Sequence, residues 1–512
     1  MGWDDIPVSA PPARNIIFQE NPRVMVPLDA TSSEYDFFDN NFNRDMVKHI
    51  KQETNRYAAD IISKLRRTNR IKEHSLLAHW KPVTLSEVYK FFSIVLHMCL
   101  VQKASISDYW STSPILHSTF AARLMSRDRF KSIMSMLHIN NNNTYVPRGQ
   151  PNHDPLHKIR PYFDYLLQRF RISLTPSENL TIDEGICAFR GRIHFRVYMK
   201  NKPEKYGMKL YFVCESDSGY ILNMELYTGK SVDDFAVVPL VERLLSLYFS
   251  KGHSIYMDRF YTSPKVIDLL WNKDTLGVGT VMLNRKEMPR SLAATVLKRG
   301  EMTFRHRPHM MACKWKDTRD VAVLSSKHGA TVSEVTVRAK GGNVKKMKPD
   351  AVLDYNVNKT GVDRNDQLVA YYPFKRKTMK WWKKLFFHLF IRGVVNSYIL
   401  FKKTRNNSSS VSLQKYMMVV GEKLAVMAGE EQVGINPSTT ADRLTGRHFA
   451  RKIPPTLNKS RPCRSCKVCG DRAKKESGKW KRKETTYYCA MCDVPLCMPE
   501  CFEIFHTRAN YV

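Results

Sequence analysis

From Tyr35 to about residue 175 apolar residues recur at helical intervals, so this part of the chain is expected to be mainly α-helical. Thr84-Leu-Ser-Glu87 has the form of a capping box, and Val88, Phe91, Phe92, Val95 and Leu96 fall on one face of the helix it opens. A second helix is predicted from Ser126. The periodicity changes near residue 180. Between 180 and 280, short β-branched and aromatic runs alternate with two amphipathic segments, Phe235–Phe249 and Ser263–Trp271. The expected order is strand, strand, strand, helix, strand, helix, strand. A basic, strand-prone stretch follows from about Asn284 to Asp350, including Ala312-Cys-Lys-Trp-Lys316 and Val321-Ala-Val-Leu-Ser-Ser326. Trp381, Leu385, His388 and Leu389 then share a helical face, predicting a helix to about Phe401 that packs back on the amino-terminal helices. A modest helix near Leu413–Met427 lies among Ser-rich and Pro-rich linkers, and residues 1–30, with prolines and no helical period, are expected to be a flexible arm.

This order of elements fits a ribonuclease H-like α/β sheet, in which early strands are antiparallel and later ones are joined by helical crossovers. Aspartates end two of its apolar runs. Leu180-Thr-Ile-Asp183 and Ile255-Tyr-Met-Asp258 favour extended backbone, placing Asp183 on the first strand and Asp258 at the end of the fourth. Asp363 and Asp366 follow Gly361 and lead into Gln367-Leu-Val-Ala-Tyr-Tyr372, and their three-residue spacing puts both carboxylates on one face of a helical turn. Carboxylates gathered from two strands and a helix repel one another unless a cation neutralises them, and hard oxygen donors suit Mg²⁺ or Mn²⁺. Two such ions about 3.5 to 4 Å apart polarise the attacking and leaving oxygens of a phosphodiester. Taken alone, the same aspartates also fit strand-end turns, with Asp363 as a helix cap.

The residues around these aspartates carry more information. Leu180-Thr-Ile-Asp-Glu-Gly-Ile-Cys-Ala-Phe-Arg-Gly-Arg192, Lys205-Tyr-Gly-Met-Lys209, Tyr256-Met-Asp-Arg-Phe-Tyr-Thr-Ser263 and Thr360-Gly-Val-Asp-Arg-Asn-Asp-Gln-Leu368 resemble, in order, the signature blocks of piggyBac-type transposases. Upstream, Met125-Ser-Arg-Asp-Arg-Phe130, Leu137-His-Ile-Asn-Asn-Asn142 and His157-Lys-Ile-Arg-Pro161 are similar to that family's amino-terminal blocks. The resemblance covers roughly residues 35 to 512. It implies a cut-and-paste DNA transposase in which Asp183, Asp258 and Asp363 hold two Mg²⁺ or Mn²⁺ ions, with Asp366 supporting the cluster. One metal would generate hydroxide from water and the other would stabilise the departing 3′ oxygen. The freed 3′-hydroxyl would form a hairpin at a TTAA overhang, and the resolved ends would be joined to a TTAA target. Terminal inverted repeats would be held by the helical domain and the finger in a homodimer.

The organisation expected on this basis is an arm (1–30), a helical DNA-binding and dimerisation domain in two parts (31–178 and 367–457, the second with a linker), a catalytic core (179–283, completed by a last helix at 351–366), an insertion domain (284–350) and a Cys-rich zinc-binding domain (458–512). The rival from another class is a domesticated DNA-binding or chromatin protein that keeps the fold without catalysis. Four intact, mutually repelling aspartates favour the enzyme. A ribonuclease H-like nuclease without strand transfer would leave the finger and helical domain unexplained.

Composition agrees with a polyanionic partner. Lys plus Arg exceed Asp plus Glu by 82 − 48 = 34 among 512 residues, which predicts attraction to nucleic acid and a steep salt dependence. No uninterrupted apolar stretch reaches the roughly 18 residues that suggest a membrane span; the richest, Phe91–Val101, reads as a buried helix. The start, Met1-Gly-Trp-Asp-Asp-Ile-Pro7, lacks a basic region followed by an apolar core, so an intracellular and, for a transposase, nuclear protein is expected, without a membrane partner. Cys99, Cys187, Cys214 and Cys313 are scattered and expected to be reduced.

Candidate DNA contacts follow from basic clusters. Arg127 and Arg129 lie around the helix from Ser126 and either contact DNA or solvate an exposed face. Arg190, Arg192, Lys205 and Lys209 lie within the signature blocks. Tyr371–Lys384 interleaves Lys375, Arg376 and Lys377 with aromatics, of which Trp382 is the candidate to stack on an unpaired base, Trp381 being the alternative. Near the end, Cys466-x2-Cys469, Cys489-x2-Cys492, Cys497-x3-Cys501 and His506 have the spacing of a cross-braced finger holding two Zn²⁺ ions, with Cys463 the candidate eighth ligand. The loop inside it, Arg472–Lys483, contains Lys481 and Arg482 and suits phosphate contact or a nuclear import signal.

Overall fold

The β-favouring runs after residue 180 assemble into one nine-stranded sheet in the computed structural model, which describes residues 2–4, 15–72, 74–200, 202, 204–229, 236–339, 342–430, 448–455, 459–480, 482–508 and 510–511. Its strands are β1 (Asn179–Ala188), β2 (Arg196–Tyr198), β3 (Tyr206–Glu215), β4 (Ile221–Leu226), β5 (Ser254–Met257), β6 (Leu276–Thr280), β7 (Met302–Arg307), β8 (Met310–Lys316) and β9 (Asp320–Ser325). The order is β2-β3-β1-β5-β6-β9-β8-β7, with β4 also paired to β3. β1 runs antiparallel to β3 and parallel to β5, and β5 runs parallel to β6. The parallel steps require crossovers, supplied by α1 (Val237–Leu245) before β5 and α2 (Pro264–Asn272) between β5 and β6. Ser263 caps α2 by accepting the Val266 N–H at 3.3 Å, and Pro264 begins it, so the helix starts six residues after Asp258.

The stretch from 284 to 350 is inserted between β6 and the helices that follow. Its first three strands extend the central sheet through antiparallel pairing of β9 with β6, while Val332–Ala339 and Gly342–Pro349 form a separate two-stranded hairpin. Helices α3 (Asp350–Asn358) and α4 (Gly361–Tyr371) return the chain to the sheet, and Ala351, Val352 and Tyr355 of α3 pack with Tyr256, Val278, Cys313 and Val323. Helix α5 (Trp381–Lys403) is long and apolar enough to cross a membrane, yet 83% of its most apolar window is buried in protein. Its aromatic side chains meet those of the Glu34–Asn41 and Arg160–Ser173 helices and their ends: Phe390 lies 5.1 Å from Phe42 and Phe386 lies 4.7 Å from Tyr162, between ring centres.

The chain divides into two compact units, Met1–Tyr57 with Leu137–Val420, and Ala58–Met136 with Gly421–Val512. The helical residues are thus shared between the sheet-bearing unit and the second one. In the second unit the Thr84–Glu87 capping box forms, with Glu87 N–H donating to Thr84 Oγ1 at 3.2 Å and Thr84 N–H to Glu87 Oε2 at 3.0 Å. The helix it opens, Leu85–Leu100, stacks Phe91 on Phe130 at 4.9 Å. The four scattered cysteines are buried free thiols.

The described residues of the amino-terminal arm correct the expectation of a flexible segment. Asp4 and His306 exchange backbone hydrogen bonds of 2.8 and 3.1 Å, Trp3 Nε1 donates to Glu287 O at 2.8 Å, and Arg23–Val24 pairs with Leu174–Thr175. An extended segment needs no helical period to be ordered, because its backbone bonds to strand edges and loops elsewhere in the chain.

Candidate active site and metal centres

The parallel register sets two of the aspartates side by side. Ile182 pairs with Met257, so Asp183, midway along β1, and Asp258, just past the end of β5, follow side by side on adjacent strands. Asp183 Oδ1 accepts the Glu184 N–H at 2.8 Å, and Asp258 Oδ1 accepts the Phe260 N–H at 2.8 Å. The Asp258 loop is pinned from below, since a Cβ on Gly279 would lie 2.1 Å from Thr262 Oγ1 and 2.6 Å from Met257 O; only glycine admits this approach. Asp363 sits in the first turn of α4. Tyr355, on α3, reaches the middle of the group: burial and then the charges of Asp258, Asp183 and Asp363 push its hydroxyl up to about 12. The charges of all three aspartates, two following strand positions and one on a helix, thus act on one phenol.

Burial and then the charge of Glu184 raise the carboxyls of Asp183 and Asp258 above the ordinary carboxylate range. Such groups ionise readily only beside a cation. An oxygen donor set of this kind suits Mg²⁺ or Mn²⁺, and Asp183, Asp258 and Asp363 are the residues that would hold it.

Lys209, expected among the DNA contacts, belongs to this cluster. Its ammonium lies 3.9 Å from Glu184 Oε2 and over the rings of Tyr211 and Phe260, at 4.7 and 4.5 Å, and burial pulls it below its usual range. Lys202 Nζ donates to Glu184 O at 2.6 Å, and Tyr261 OH to Glu184 Oε2 at 3.1 Å. Glu184, Tyr261, Lys202 and Tyr355 were not singled out by sequence, although Glu184 adjoins Asp183 and Tyr261 lies within the Asp258 block. Asp366 is engaged by the buried Arg392 at 2.5 Å. A cavity of about 490 Å³ borders it, lined in part by Ile186, Lys202, Phe374, Lys384 and Arg392.

Gly185 shows how tightly this region is packed: a Cβ there would lie 2.7 Å from Phe212 Cε2 and 3.2 Å from an Arg392 guanidinium nitrogen. Gly185→Ala is expected to destabilise the protein by about 1–3 kcal/mol, the range for overpacking a core. Urea unfolding would measure it, and unchanged stability would mean that β1 relaxes freely.

Among the other candidate DNA contacts, Arg190, Arg192, Lys205, Lys375 and Lys377 are exposed and Arg376 is half-buried. Arg127 is exposed beside Asp128 at 2.9 Å, and Arg482 beside Glu484 at 2.6 Å. Lys481 lies outside the described residues. Two assignments are corrected. Arg129 is only 18% exposed and forks onto Glu87 at 2.6 and 2.8 Å while also donating to Lys81 O at 2.9 Å, so it braces the helix start. Trp382 is 5% exposed and packs edge-on to His138 at 5.0 Å, whereas Trp381 is the half-buried one of the pair, against Phe195. Helical rotation directs Trp382 into the core and leaves Trp381 the more exposed of the pair.

The Cys-rich end gathers two tetrads, Cys466, Cys469, Cys497 and Cys501, and His448, Cys489, Cys492 and His506, with ligating atoms of each within 4.8 Å of one another. Cys469 Sγ lies 3.5 Å from Cys501 Sγ, and His448 Nδ1 lies 3.4 and 3.3 Å from Cys489 and Cys492 Sγ. Those edges match a tetrahedron of ligands about 2.0 to 2.3 Å from a central Zn²⁺. The two sets alternate along the chain, which is the cross-braced arrangement. His448 completes the second tetrad as the candidate eighth ligand. Cys463, the sequence candidate, instead donates to Glu484 Oε2 at 2.7 Å and belongs to neither tetrad. His448 lies 18 residues before Cys466, too far for a local spacing motif to mark it.

A sheet of this order, with neighbouring aspartates on adjacent parallel strands and a third on a following helix, defines a ribonuclease H-like protein. Residues 33–398 match the family model described as Transposase IS4, and residues 449–507 match a model described as DDE_Tnp_1-like zinc finger. The chain belongs to this transposase family, in its piggyBac branch. The human PiggyBac transposable element-derived protein 2 is 27% identical over 312 residues, covering 57% of this chain and 51% of the relative. The human PiggyBac transposable element-derived protein 3 is 24% identical over 445 residues, covering 83% of this chain and 71% of the relative. The match thus spans about half the length of the first of these relatives. The cryo-EM structure of a piggyBac transposase synaptic complex with hairpin DNA shares the fold, with a TM-score of 0.71 and 21% identity over 94% of this chain and 99% of that one.

Proposed function

We propose that this protein is a cut-and-paste DNA transposase that binds terminal inverted repeats, excises its element through hairpin ends and joins it at TTAA. The observation that carries the reading is the parallel register that sets Asp183 beside Asp258, with Asp363 on the first turn of the following helix and the charges of all three felt at Tyr355. Divalent ions held there would supply activation of the attacking oxygen and stabilisation of the leaving one. The chain's own residues do the rest. Asp183 and Asp258 are held at fixed rotation by the Glu184 and Phe260 N–H groups. Lys209 and Lys202 bring positive charge to the edge of the cluster, where a phosphate would otherwise be repelled by carboxylates. The exposed Arg190, Arg192, Lys205, Lys375 and Lys377 extend this charge outward for the DNA backbone. A homodimer acting in the nucleus completes the proposal.

A second reading, a DNA-binding protein without catalysis, draws on the names of the human relatives, which are transposable element-derived proteins. An excision assay in cells with matching transposon ends separates the two. Donor repair to an intact TTAA is expected with wild type and not with Asp183→Ala. Repeat binding without excision by either protein would select the second reading.

A further inference from the structure

Arg392 stands first by volume among the fully buried side chains of the described residues, at 1% exposed. Every edge of its guanidinium is used. Nη1 donates to Asn365 Oδ1 at 2.6 Å, Nη2 to Asp366 Oδ1 at 2.5 Å and Nε to His388 Nε2 at 2.9 Å, while the group lies 4.3 Å from the centre of the Phe212 ring. Burial and the neighbouring guanidinium keep His388 neutral, as an acceptor must be. A buried ion pair seldom stabilises a core better than well-packed apolar residues of similar volume. An apolar residue would fill this place on α5 at least as well, so the value of the charge lies in geometry.

That geometry links three elements. Asn365 Nδ2 donates to Gly219 O at 3.0 Å, tying α4 to the turn between β3 and β4, and Asn396, one turn after Arg392, exchanges bonds of 3.0 and 2.9 Å with the backbone of Ile221. On β1, Gly185 leaves room for the guanidinium two residues beyond Asp183. Asp363 and Asp366 lie one helical turn apart on α4, so holding Asp366 sets the rotation at which Asp363 is presented to Asp183 and Asp258.

We propose that Arg392 is a positioning residue for metal binding: through Asp366 and Asn365 it fixes the azimuth of the helix that carries Asp363, and Asp366 acts as its latch rather than as a metal ligand. The proposal rests on the reading of the three other aspartates as a metal-holding cluster. Its test uses the full-length protein and Mn²⁺ as probe, with Arg392→Met, Asp366→Asn and the double variant. Mn²⁺ affinity by calorimetry is expected to fall roughly 10- to 100-fold in each single variant, the usual loss when an outer partner of a metal site is removed. The double variant should lose no more than the worse single one, because both act along one path. Bound zinc and affinity for duplex DNA should stay near those of wild type in every variant, as should the melting temperature of Asp366→Asn, whereas Arg392→Met also loses stability because it leaves buried polar partners unpaired. Unchanged Mn²⁺ affinity, or a loss that only follows a falling melting temperature, would overturn the proposal. Should Arg392→Met not fold, Asp366→Asn decides the question, since that side chain is 31% exposed and keeps its shape. Equal Mn²⁺ binding by wild type and Asp183→Asn would overturn the cluster reading itself, and the proposal with it.

Discussion

Asp258→Asn is expected to reduce cleavage of transposon-end DNA by at least about 10³-fold while leaving affinity for that DNA within about twofold. The substitution is nearly isosteric. Asn keeps the oxygen that accepts the Phe260 N–H, so the loop after β5 retains its conformation, as do the Thr262 bond to Asp258 O and the close approach at Gly279. What disappears is one negative charge beside Asp183. A metal site in catalysis supplies several kcal/mol of transition-state stabilisation, and each 1.36 kcal/mol is worth tenfold in rate. DNA binding draws on exposed basic side chains such as Arg190, Arg192 and Lys205, which the change does not touch. Single-turnover cleavage and fluorescence anisotropy of the same duplex measure the two effects separately. Loss of binding together with cleavage would make Asp258 a structural residue.

Removing His448 is expected to release one of two bound zinc ions. In its tetrad two thiolates and two imidazoles converge, and deleting one ligand leaves Cys489, Cys492 and His506 with an open position that water must fill. Apparent affinities of structural zinc sites correspond to about 10–16 kcal/mol, so weakening one should unfold much of the local structure it closes. Elemental analysis should find two zinc ions per chain in wild type, close to one in His448→Ala and two in Cys463→Ser. The reverse result for the last two variants would restore Cys463 as the ligand and make the proximity of His448 incidental. The family model for the finger begins at residue 449, one position after this histidine, so motif matching alone passes over it.

Much of the fold was legible from sequence because its signals are local. The Thr84–Glu87 box closes within four residues, and both its bonds form. Leu180–Ile182 and Ile255–Met257 are β-favouring runs whose burial on both faces of a sheet follows from composition alone. Cysteines two residues apart announce a chelate before any tertiary contact is known. The aspartates could be nominated the same way, as polar residues ending apolar strands or opening a helix.

Partners far apart in the chain were not legible. Arg129 reads as a solvated or DNA-facing charge until Glu87, 42 positions away, is brought within 2.6 Å of it. Trp381 and Trp382 have equal claims until helix rotation buries one of them. The amino-terminal arm carries no periodic signal because its order comes from the backbone of distant strands. His448 joins the cysteines only when Cys489, 41 positions later, folds back on it. The sequence by itself determined which residues were apolar, which were charged and the elements they favour, since propensity and periodicity act over a few neighbours. The tertiary structure alone decided which charge meets which, giving Asp366 to Arg392 and Lys209 to the carboxylates, because electrostatic pairing depends on separation in space and burial, neither of which is written in linear order.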